Sequence, residues 1–443
     1  MVLVFRRNCQ WILVIFCLMI LCALVTCLDY QQQQHHQVHG RDIRENVAVA
    51  KQEDERNLFS PADDIKVLGP TSFPKPTDAL EPYGAVPIVQ PAFGKHRPNV
   101  DAVFAYAEGY STGYYLNFIE SLRGTGFDGD LVLAIAELPL VHSGVMEYLT
   151  SQENVIVYHS DMDCFAEDQV TPAPRKGNKN TDSFDIFQMC CLHEVYGWVD
   201  KDTGTVLQKA RDPREGRVVA TLRYEWYWIW LQQYHKNSWI MVLDARDSYF
   251  QANPFSNLPR QDDIHATKGH LWFFGENTNA TRLGKSTKNI NWLRNGYGKA
   301  VLDFLREKPT ICSGSTMGEA VAMEQYLRAE INEKAETEIR MTGSDQGFHN
   351  YLYYSQKLAN VDAILALTVW LQGWGIINNL GALRTQPLSA WGNYDPETHA
   401  VTNWDGSISP VVHQWDRDKE LHNYQFRYRF RDLETEWSKK AKN

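Results

Sequence analysis

The chain has 443 residues, of which 44 are Lys or Arg and 54 are Asp or Glu, so its formal net charge is −10. This acidic balance argues against a nucleic-acid partner, because nucleic-acid-binding domains usually carry a basic stripe. Hydrophobic residues make up 44% of the chain, and its 14 Trp, 21 Tyr and 19 Phe residues exclude a disordered protein.

The first thirty residues predict a membrane anchor. Residues 1–10 form a short tail with two arginines, and residues 11–28 form an apolar run without charge or proline. As a helix this run would span about 27 Å, close to the ~30 Å hydrocarbon core of a bilayer. Because the positive charge precedes the run, we expect a type II membrane protein whose remainder is lumenal. The alternative is a cleaved signal peptide with Val25 and Cys27 before the cut.

Residues 29–98 predict an extended stem. They begin with a Gln- and His-rich stretch, and eight of the 18 prolines lie between Pro61 and Pro98. Such a segment has little periodic apolar surface, so we expect a solvated, partly polyproline-like tether.

Residues 99–435 predict one lumenal α/β domain. Apolar runs that favour strands alternate with amphipathic helices, the strands at 102–107, 130–135 and 155–158 and the helices at 109–124 and 143–149. This β-α-β-α-β order predicts a Rossmann-like fold with a mostly parallel central sheet. No G-x-G-x-x-G follows the first strand, so a dinucleotide cofactor is not expected.

The middle of this domain predicts an insertion and then a central strand. Residues 165–216 are polar and irregular, and an aromatic helix over 218–234 leads into an apolar strand at 239–243. On this helix, the i, i+4 spacing of Trp226 and Trp230 favours core packing. Arg223 on the same helix could reach a phosphate or could be an ordinary solvated arginine.

Two carboxylates, Asp244 and Asp247, follow the central strand. In open α/β sheets ligands bind outside the carboxyl ends of the strands. Two carboxylates in a turn suit a hard divalent cation that keeps open positions for diphosphate oxygens. Such a cation would stabilise a departing nucleoside diphosphate. Alternatively, the two carboxylates cap the next turn or pair with Arg246, which also breaks the Asp-x-Asp pattern of a phosphatase.

Three later segments carry further candidate residues. Ser313 and Gly314 lie in a small-residue stretch whose likeness to a hydrolase Gly-x-Ser-x-Gly elbow fails, because Thr316 takes the place of the nucleophile. Asp345 and Gln346 enter a predicted helix, where by themselves they would more often be a cap. The third segment places a histidine after a short apolar strand, which could equally be structural, at His413.

This order of segments resembles the GT-A-fold glycosyltransferases, in particular the glycogenin-like branch, over roughly residues 100–420. The acidic pair, the Ser-Gly stretch, Asp-Gln-Gly-x-x-Asn and the late histidine carry the resemblance. It implies transfer of a sugar from a nucleotide-sugar donor with Mn²⁺ or Mg²⁺. The spacing Asp-x-x-Asp departs from the Asp-x-Asp of the family, which leaves open whether Asp244 or Asp247 holds the metal directly and which binds the donor ribose.

The resemblance also implies roles for the other residues. His413 would be the third metal ligand, Ser313 and Gly314 would line the cleft of the donor sugar, and Arg417 would contact the diphosphate. Two residues would face the reacting sugar and the acceptor hydroxyl, namely Asp345 and Gln346.

Smaller features remain open. The loop 373–379 combines glycines, Trp374 and two amides, and could present an aromatic platform to an acceptor glycan. Asn279 begins the only N-glycosylation sequon. Four cysteines outside the anchor region allow up to two disulfides in three pairings, namely Cys164, Cys190, Cys191 and Cys312.

The sequence thus predicts a Golgi-membrane glycosyltransferase that acts on a glycan or glycoprotein acceptor. Two alternatives stay open. A lumenal glycoside hydrolase would use paired carboxylates without a metal. A catalytically inactive carbohydrate-binding domain could share the same fold, since fold does not determine function.

Overall fold

A seven-stranded sheet lies at the centre of the fold. The computed structural model describes residues 56–80, 84–166, 171–175, 188–339, 341 and 343–440. The strands in these ranges are β1 (Val86–Pro87), β2 (Ala102–Tyr106), β3 (Asp130–Ile135), β4 (Val155–His159), β5 (Met162–Cys164), β6 (Met189–Leu192), β7 (Tyr196–Val199), β8 (Val206–Lys209), β9 (Arg217–Val218), β10 (Trp239–Leu243), β11 (Ser248–Phe250), β12 (Gly269–Gly275), β13 (Ile311–Glu319), β14 (Ile364–Trp370), β15 (Ile377–Asn379) and β16 (Val411–His413).

Helices cover both faces of this sheet. The described α-helices are α1 (Thr112–Gly124), α2 (Val145–Thr150), α3 (Val219–Leu231), α4 (Thr287–Leu305), α5 (Ala320–Thr337), α6 (Ser344–Tyr354), α7 (Lys419–His422) and α8 (Phe430–Lys440). A π-helix, Asn423–Arg429, connects α7 to α8.

The central sheet has the strand order β14-β12-β13-β10-β2-β3-β4. Four of its six pairings are parallel, and only β13 runs antiparallel to its two neighbours. The predicted mixed α/β architecture with a mostly parallel sheet is therefore confirmed. Every residue of β2, β3 and β10 is buried, as expected when both faces of a parallel sheet are covered.

Alternate residues of each strand supply two core layers. Phe104 of β2 packs with the aromatic residues of α3, whereas its neighbour Val103 packs with α1 on the other face. Trp226 and Trp230 are fully buried, so the prediction of core packing for them is confirmed.

Two predicted elements differ from the observed ones. The first helix begins at Thr112 rather than near 109, because Gly109 adopts a left-handed φ of +76°. The small-residue stretch at 311–318 is the inner strand β13, whose nine residues are all buried.

Where it is described, the predicted insertion at 165–216 contributes strands to two small antiparallel sheets. One sheet has the order β5-β6-β9 and another the order β1-β7-β8. A disulfide joins Cys164 of β5 to Cys190 of β6. Cys191 and Cys312 are free thiols, so the described residues contain one of the two disulfides that the cysteine count allows.

The described part of the expected stem packs against the domain. Phe59, Phe73 and Leu80 are each at most 3% exposed, and Ala62 N donates to Tyr354 O over 2.9 Å. The described part of the segment is therefore not the solvated tether predicted for 29–98, because these large apolar side chains are buried in the main hydrophobic core of the domain.

Within the described ranges of residues 56–440, no helix is long and apolar enough to cross a bilayer. The predicted anchor at 11–28 and the tail at 1–10 lie outside the described residues.

Candidate functional site

The carboxyl end of β10 brings the two predicted acidic residues to one place. Asp244 follows β10 directly, and its backbone N–H donates to Gly314 O of β13 over 3.0 Å. Asp247 precedes β11, which pairs antiparallel with β16 so that Ser248 lies opposite His413. The histidine, which is 166 residues further along the chain than Asp247 (413 − 247), is thereby placed beside the acidic turn.

Asp244, Asp247 and His413 form a potential metal-binding cluster. His413 Nε2 lies 3.6 Å from Asp247 Oδ1 and 3.9 Å from Asp244 Oδ2. One ligand atom from each residue lies within 4.8 Å of the others. His413 is 1% exposed and Asp247 is 5% exposed, whereas the Asp244 side chain is 36% exposed, so the cluster opens to solvent on the Asp244 side.

The hydrogen bond at Nδ1 fixes the tautomer of the neutral His413 ring. The Asn379 amide donates through Nδ2 to Phe274 O and Gly275 O over 3.1 and 3.2 Å. Its Oδ1 must therefore accept, and it lies 2.8 Å from His413 Nδ1. In the neutral ring, the proton on Nδ1 leaves a lone pair on Nε2, which is buried and makes no hydrogen bond of acceptable geometry among the described residues. An orphaned imidazole nitrogen that faces two carboxylates fits a bound divalent cation.

Gly314 leaves room for this cluster. A Cβ atom at this position would lie 2.6 Å from Asp244 Oδ2 and 2.9 Å from His413 Cε1. Both distances are shorter than the van der Waals contact distance of a Cβ atom. Only glycine at position 314 therefore permits the carboxylate and the imidazole to approach each other.

The electrostatics of the cluster favour a positive charge between its members. Burial alone would raise the pKa of Asp247, but His413, Arg246 and Arg417 hold it well below its usual range. Burial alone would lower the pKa of His413, but the Cys312 sulfur and the Asp247 carboxylate raise it well above its ordinary value. A proton or a metal cation at Nε2 satisfies both residues.

Arg223 connects this cluster to the predicted Asp-Gln segment. Its Nη1 forms a close ion pair with Asp244 Oδ1, and its Nη2 lies 2.9 Å from Asp345 Oδ2. The expectation that Arg223 reaches a phosphate is not supported by this geometry, because two carboxylates already hold its guanidinium. The pairing leaves Asp244 Oδ2, the other carboxylate oxygen, to face His413.

Asp345 and Gln346 differ in what they contact. Asp345 is 3% exposed and also accepts from Ser313 Oγ over 3.2 Å. Burial raises its pKa, while Arg223 acts in the opposite direction. The Gln346 amide accepts from Ser313 N over 2.8 Å and donates to Ile311 O over 2.6 Å. The structure therefore shows Gln346 holding the backbone of β13, and not a free amide facing a substrate.

Arg417 lies at the edge of the cluster. Its guanidinium pairs closely with Asp416 and lies 3.6 Å from Asp247 Oδ2. About a third of its side chain, 33%, is exposed, so it borders both the carboxylate and the solvent.

Two residues of the candidate site are not predicted from the sequence. Asn379, which orients His413, was noticed only as one of two amides in the loop 373–379. Glu276 follows β12, and burial raises its pKa to about 7 although Arg384 and His413 oppose the shift. No sequence motif marks Asn379 as a partner of His413. Its role depends on β15 lying beside β16 in the folded chain.

Asn279, the predicted glycosylation site, is exposed after β12. Its own backbone N–H donates to Asn277 Oδ1 over 3.1 Å in a tight turn.

Comparison with known proteins adds little. No family model matches the chain, and no curated protein matches it. A solved structure of the galactosyltransferase LgtC in complex with donor and acceptor sugar analogs is similar over 75% of this chain and 94% of that chain, at 10% identity and a TM-score of 0.33. An active-site mutant of LgtC is similar over 76% and 95%, at 10% identity and a TM-score of 0.35. Similarity at this level assigns no activity to this chain.

Proposed function

We propose that the chain is a metal-dependent glycosyltransferase that transfers a sugar from a nucleotide-sugar donor to a glycan or glycoprotein acceptor. The observation that carries the proposal is the meeting of Asp244, Asp247 and the orphaned His413 Nε2 at the carboxyl end of the central strand. This edge is where open α/β sheets bind their ligands.

The three residues would hold the cation. Two carboxylates and one imidazole suit Mn²⁺ or Mg²⁺ better than a soft metal. When bound, the cation would stabilise the negative charge of the departing nucleoside diphosphate. The Asn379 amide keeps the His413 lone pair directed at the site, and Gly314 keeps the space open.

The remaining residues would position the donor. Arg223 holds Asp244 and Asp345 in a fixed relation, so the metal ligand and the second carboxylate act as one unit. Asp345 and Ser313 would border the sugar of the donor, and the partly exposed Arg417 would turn towards the diphosphate. Gln346 would act indirectly, by holding β13 in place.

We further propose that the domain is lumenal in the Golgi and anchored by residues 11–28. The Cys164–Cys190 disulfide supports an oxidising compartment. The exposed Asn279 would be available for N-glycosylation in the same compartment.

Release of nucleoside diphosphate from a panel of nucleotide sugars tests the proposal. The full chain should release diphosphate from one donor with Mn²⁺ and lose that activity with a chelator. Asp247→Asn should abolish the release, whereas Asp262→Asn, which changes an exposed carboxylate, should leave it unchanged.

Two results would contradict the proposal. Metal-independent hydrolysis of a glycoside would favour a glycoside hydrolase. Sugar binding without turnover of any donor, with any acceptor glycan supplied, would favour an inactive carbohydrate-binding domain.

A further inference from the structure

Residues 56–80, the described part of the expected stem, form a strap that is hydrogen-bonded to the domain. Lys308 Nζ donates to Ser60 O over 2.6 Å. Two residues further along the strap, the Ala62 N–H is bonded to the last carbonyl group of α6. These two bonds fix the course of the chain directly after Phe59.

The ring of Phe59 lies against Gly275, the last residue of β12. Phe59 is 3% exposed. A Cβ atom at Gly275 would lie 2.6 Å from Phe59 Cζ and 3.0 Å from Phe59 Cε1, whereas the next nearest atom, Trp370 O, would be 3.5 Å away. The backbone of Gly275 is not in the left-handed region, so its conformation does not require glycine. The absence of a side chain instead makes room for the ring of Phe59, which packs directly on the peptide backbone.

Gly275 supports the amide that orients His413. Asn379 Nδ2 donates to Gly275 O over 3.2 Å and to Phe274 O over 3.1 Å. Asn379 Oδ1 lies 2.8 Å from His413 Nδ1. The two carbonyl groups at the end of β12 therefore set the direction of the His413 ring.

Regular strand pairing does not hold the end of β12 on both sides. The register between β12 and β13 shifts between Phe273 and Phe274, and such an irregularity disrupts the ladder locally and bends the strand. Pairing with β14 ends at Phe274. Beyond the shift, Gly275 is therefore paired with β13 only, and Phe59 packs on it.

A second phenylalanine of the strap packs elsewhere. Phe73 is 1% exposed, and its backbone N–H donates to Gln325 Oε1 of α5 over 3.0 Å. Arg328 of α5 donates to Pro74 O over 3.2 Å. This helix supplies no member of the Asp-Asp-His cluster. Phe73 and Phe59 thus share their segment and their burial but differ in their connection to the cluster.

We propose that Phe59 is a positioning residue for His413, and that the strap is therefore part of the metal site. The inference rests on the proposed function, because it takes His413 as a metal ligand. Without the ring a cavity opens beside Gly275, and the backbone can relax into it. The Asn379 amide then loses its fixed acceptors, and the His413 lone pair is no longer directed at the cation.

Titration calorimetry of the full chain with Mn²⁺ tests this inference. Phe59→Ala should bind Mn²⁺ about tenfold more weakly than the wild type, the lower end of the usual effect of groups that orient a metal ligand. Phe73→Ala removes a similarly buried ring from the same strap and should keep the wild-type affinity. Both variants should melt at a lower temperature than the wild type, since each leaves a cavity. Phe59→Leu leaves a smaller cavity and should weaken Mn²⁺ binding in the same direction, which provides the measurement if Phe59→Ala does not fold.

A paired substitution separates positioning from a general loss of stability. Gly275→Ala should weaken Mn²⁺ binding, because the added Cβ atom displaces either the ring or the backbone on which it packs. Phe59→Leu removes the Cζ atom that is nearest to this Cβ. The double variant should therefore bind Mn²⁺ at least about threefold more tightly than Gly275→Ala alone. A role confined to stability predicts no such recovery of metal affinity.

Three results would overturn the inference while leaving the metal site in place. These are wild-type Mn²⁺ affinity in both Phe59 variants, an equal loss of affinity in Phe73→Ala, or a double variant that binds no better than Gly275→Ala. Failure of the wild type itself to bind Mn²⁺ would overturn the proposed function, and this inference with it.

Discussion

Gly314 of β13 lies against the Asp244 carboxylate: a Cβ atom at Gly314 would lie 2.6 Å from Asp244 Oδ2. Gly314→Ala should therefore displace the carboxylate and weaken Mn²⁺ binding about 10- to 100-fold, the usual effect of disturbing the groups that orient a metal ligand. Titration calorimetry measures this directly. Gly124→Ala is the matched control, because nothing lies within 4 Å of a Cβ at that position. Equal Mn²⁺ affinity of Gly314→Ala and wild type would show that the cluster does not hold the metal.

Arg223 is expected to act through the two carboxylates that it joins. Arg223→Lys keeps the charge, but an ammonium group cannot bond both Asp244 and Asp345 in the same planar arrangement. We expect kcat to fall about 10- to 100-fold, with the melting temperature little changed. Arg211→Lys, which changes an exposed arginine, should have no effect. Unchanged kinetics of Arg223→Lys would mean that the bridge has no part in the reaction.

Gln346 should matter for stability more than for chemistry. Gln346→Glu replaces the amide that donates to Ile311 O over 2.6 Å by a carboxylate oxygen that repels this carbonyl. We expect the free energy of unfolding to fall by about 1–3 kcal/mol, measured by urea denaturation. The exposed substitution Gln208→Glu should cost far less. A loss of turnover without a loss of stability would instead support the direct role first expected for Gln346.

His96 should make stability depend on pH. Its Nδ1 and Nε2 bond the hydroxyls of Tyr234 and Tyr158 over 2.9 and 2.8 Å. Burial lowers its pKa to about 4, against the opposing influence of Asp130. Between pH 6.5 and 4 the unfolded chain therefore binds a proton that the folded chain does not. This contribution to stability is complete above pH 6.5 and is lost as the pH falls to about 4.

The measurement compares the free energies of unfolding at pH 7 and pH 4.5. The wild type should lose up to about 3 kcal/mol more than His96→Gln over this interval. His265→Gln, at an exposed histidine, should behave as the wild type. Parallel pH profiles of wild type and His96→Gln would contradict the assignment.

The fold was largely predictable where hydrophobic patterns were strong. The alternation of apolar strands and amphipathic helices indicated the parallel half of the sheet. β13 was not recognised as a strand, because Ser, Gly and Thr give little strand signal. Its conformation depends on lying between β10 and β12, which is tertiary context.

The candidate metal ligands Asp244, Asp247 and His413 were expected from the family resemblance. The structure brings them together, and their role as ligands stays a prediction. The double ion pair of Arg223 was not foreseen, because its partners lie 21 and 122 residues away.

The most direct test of the account is the Mn²⁺ dependence of nucleoside diphosphate release in the wild type and in His413→Gln. The account predicts release that a chelator abolishes, with a half-saturating Mn²⁺ concentration at least about tenfold higher in the variant. The same Mn²⁺ dependence in both proteins, or release that persists in the chelator, would contradict it.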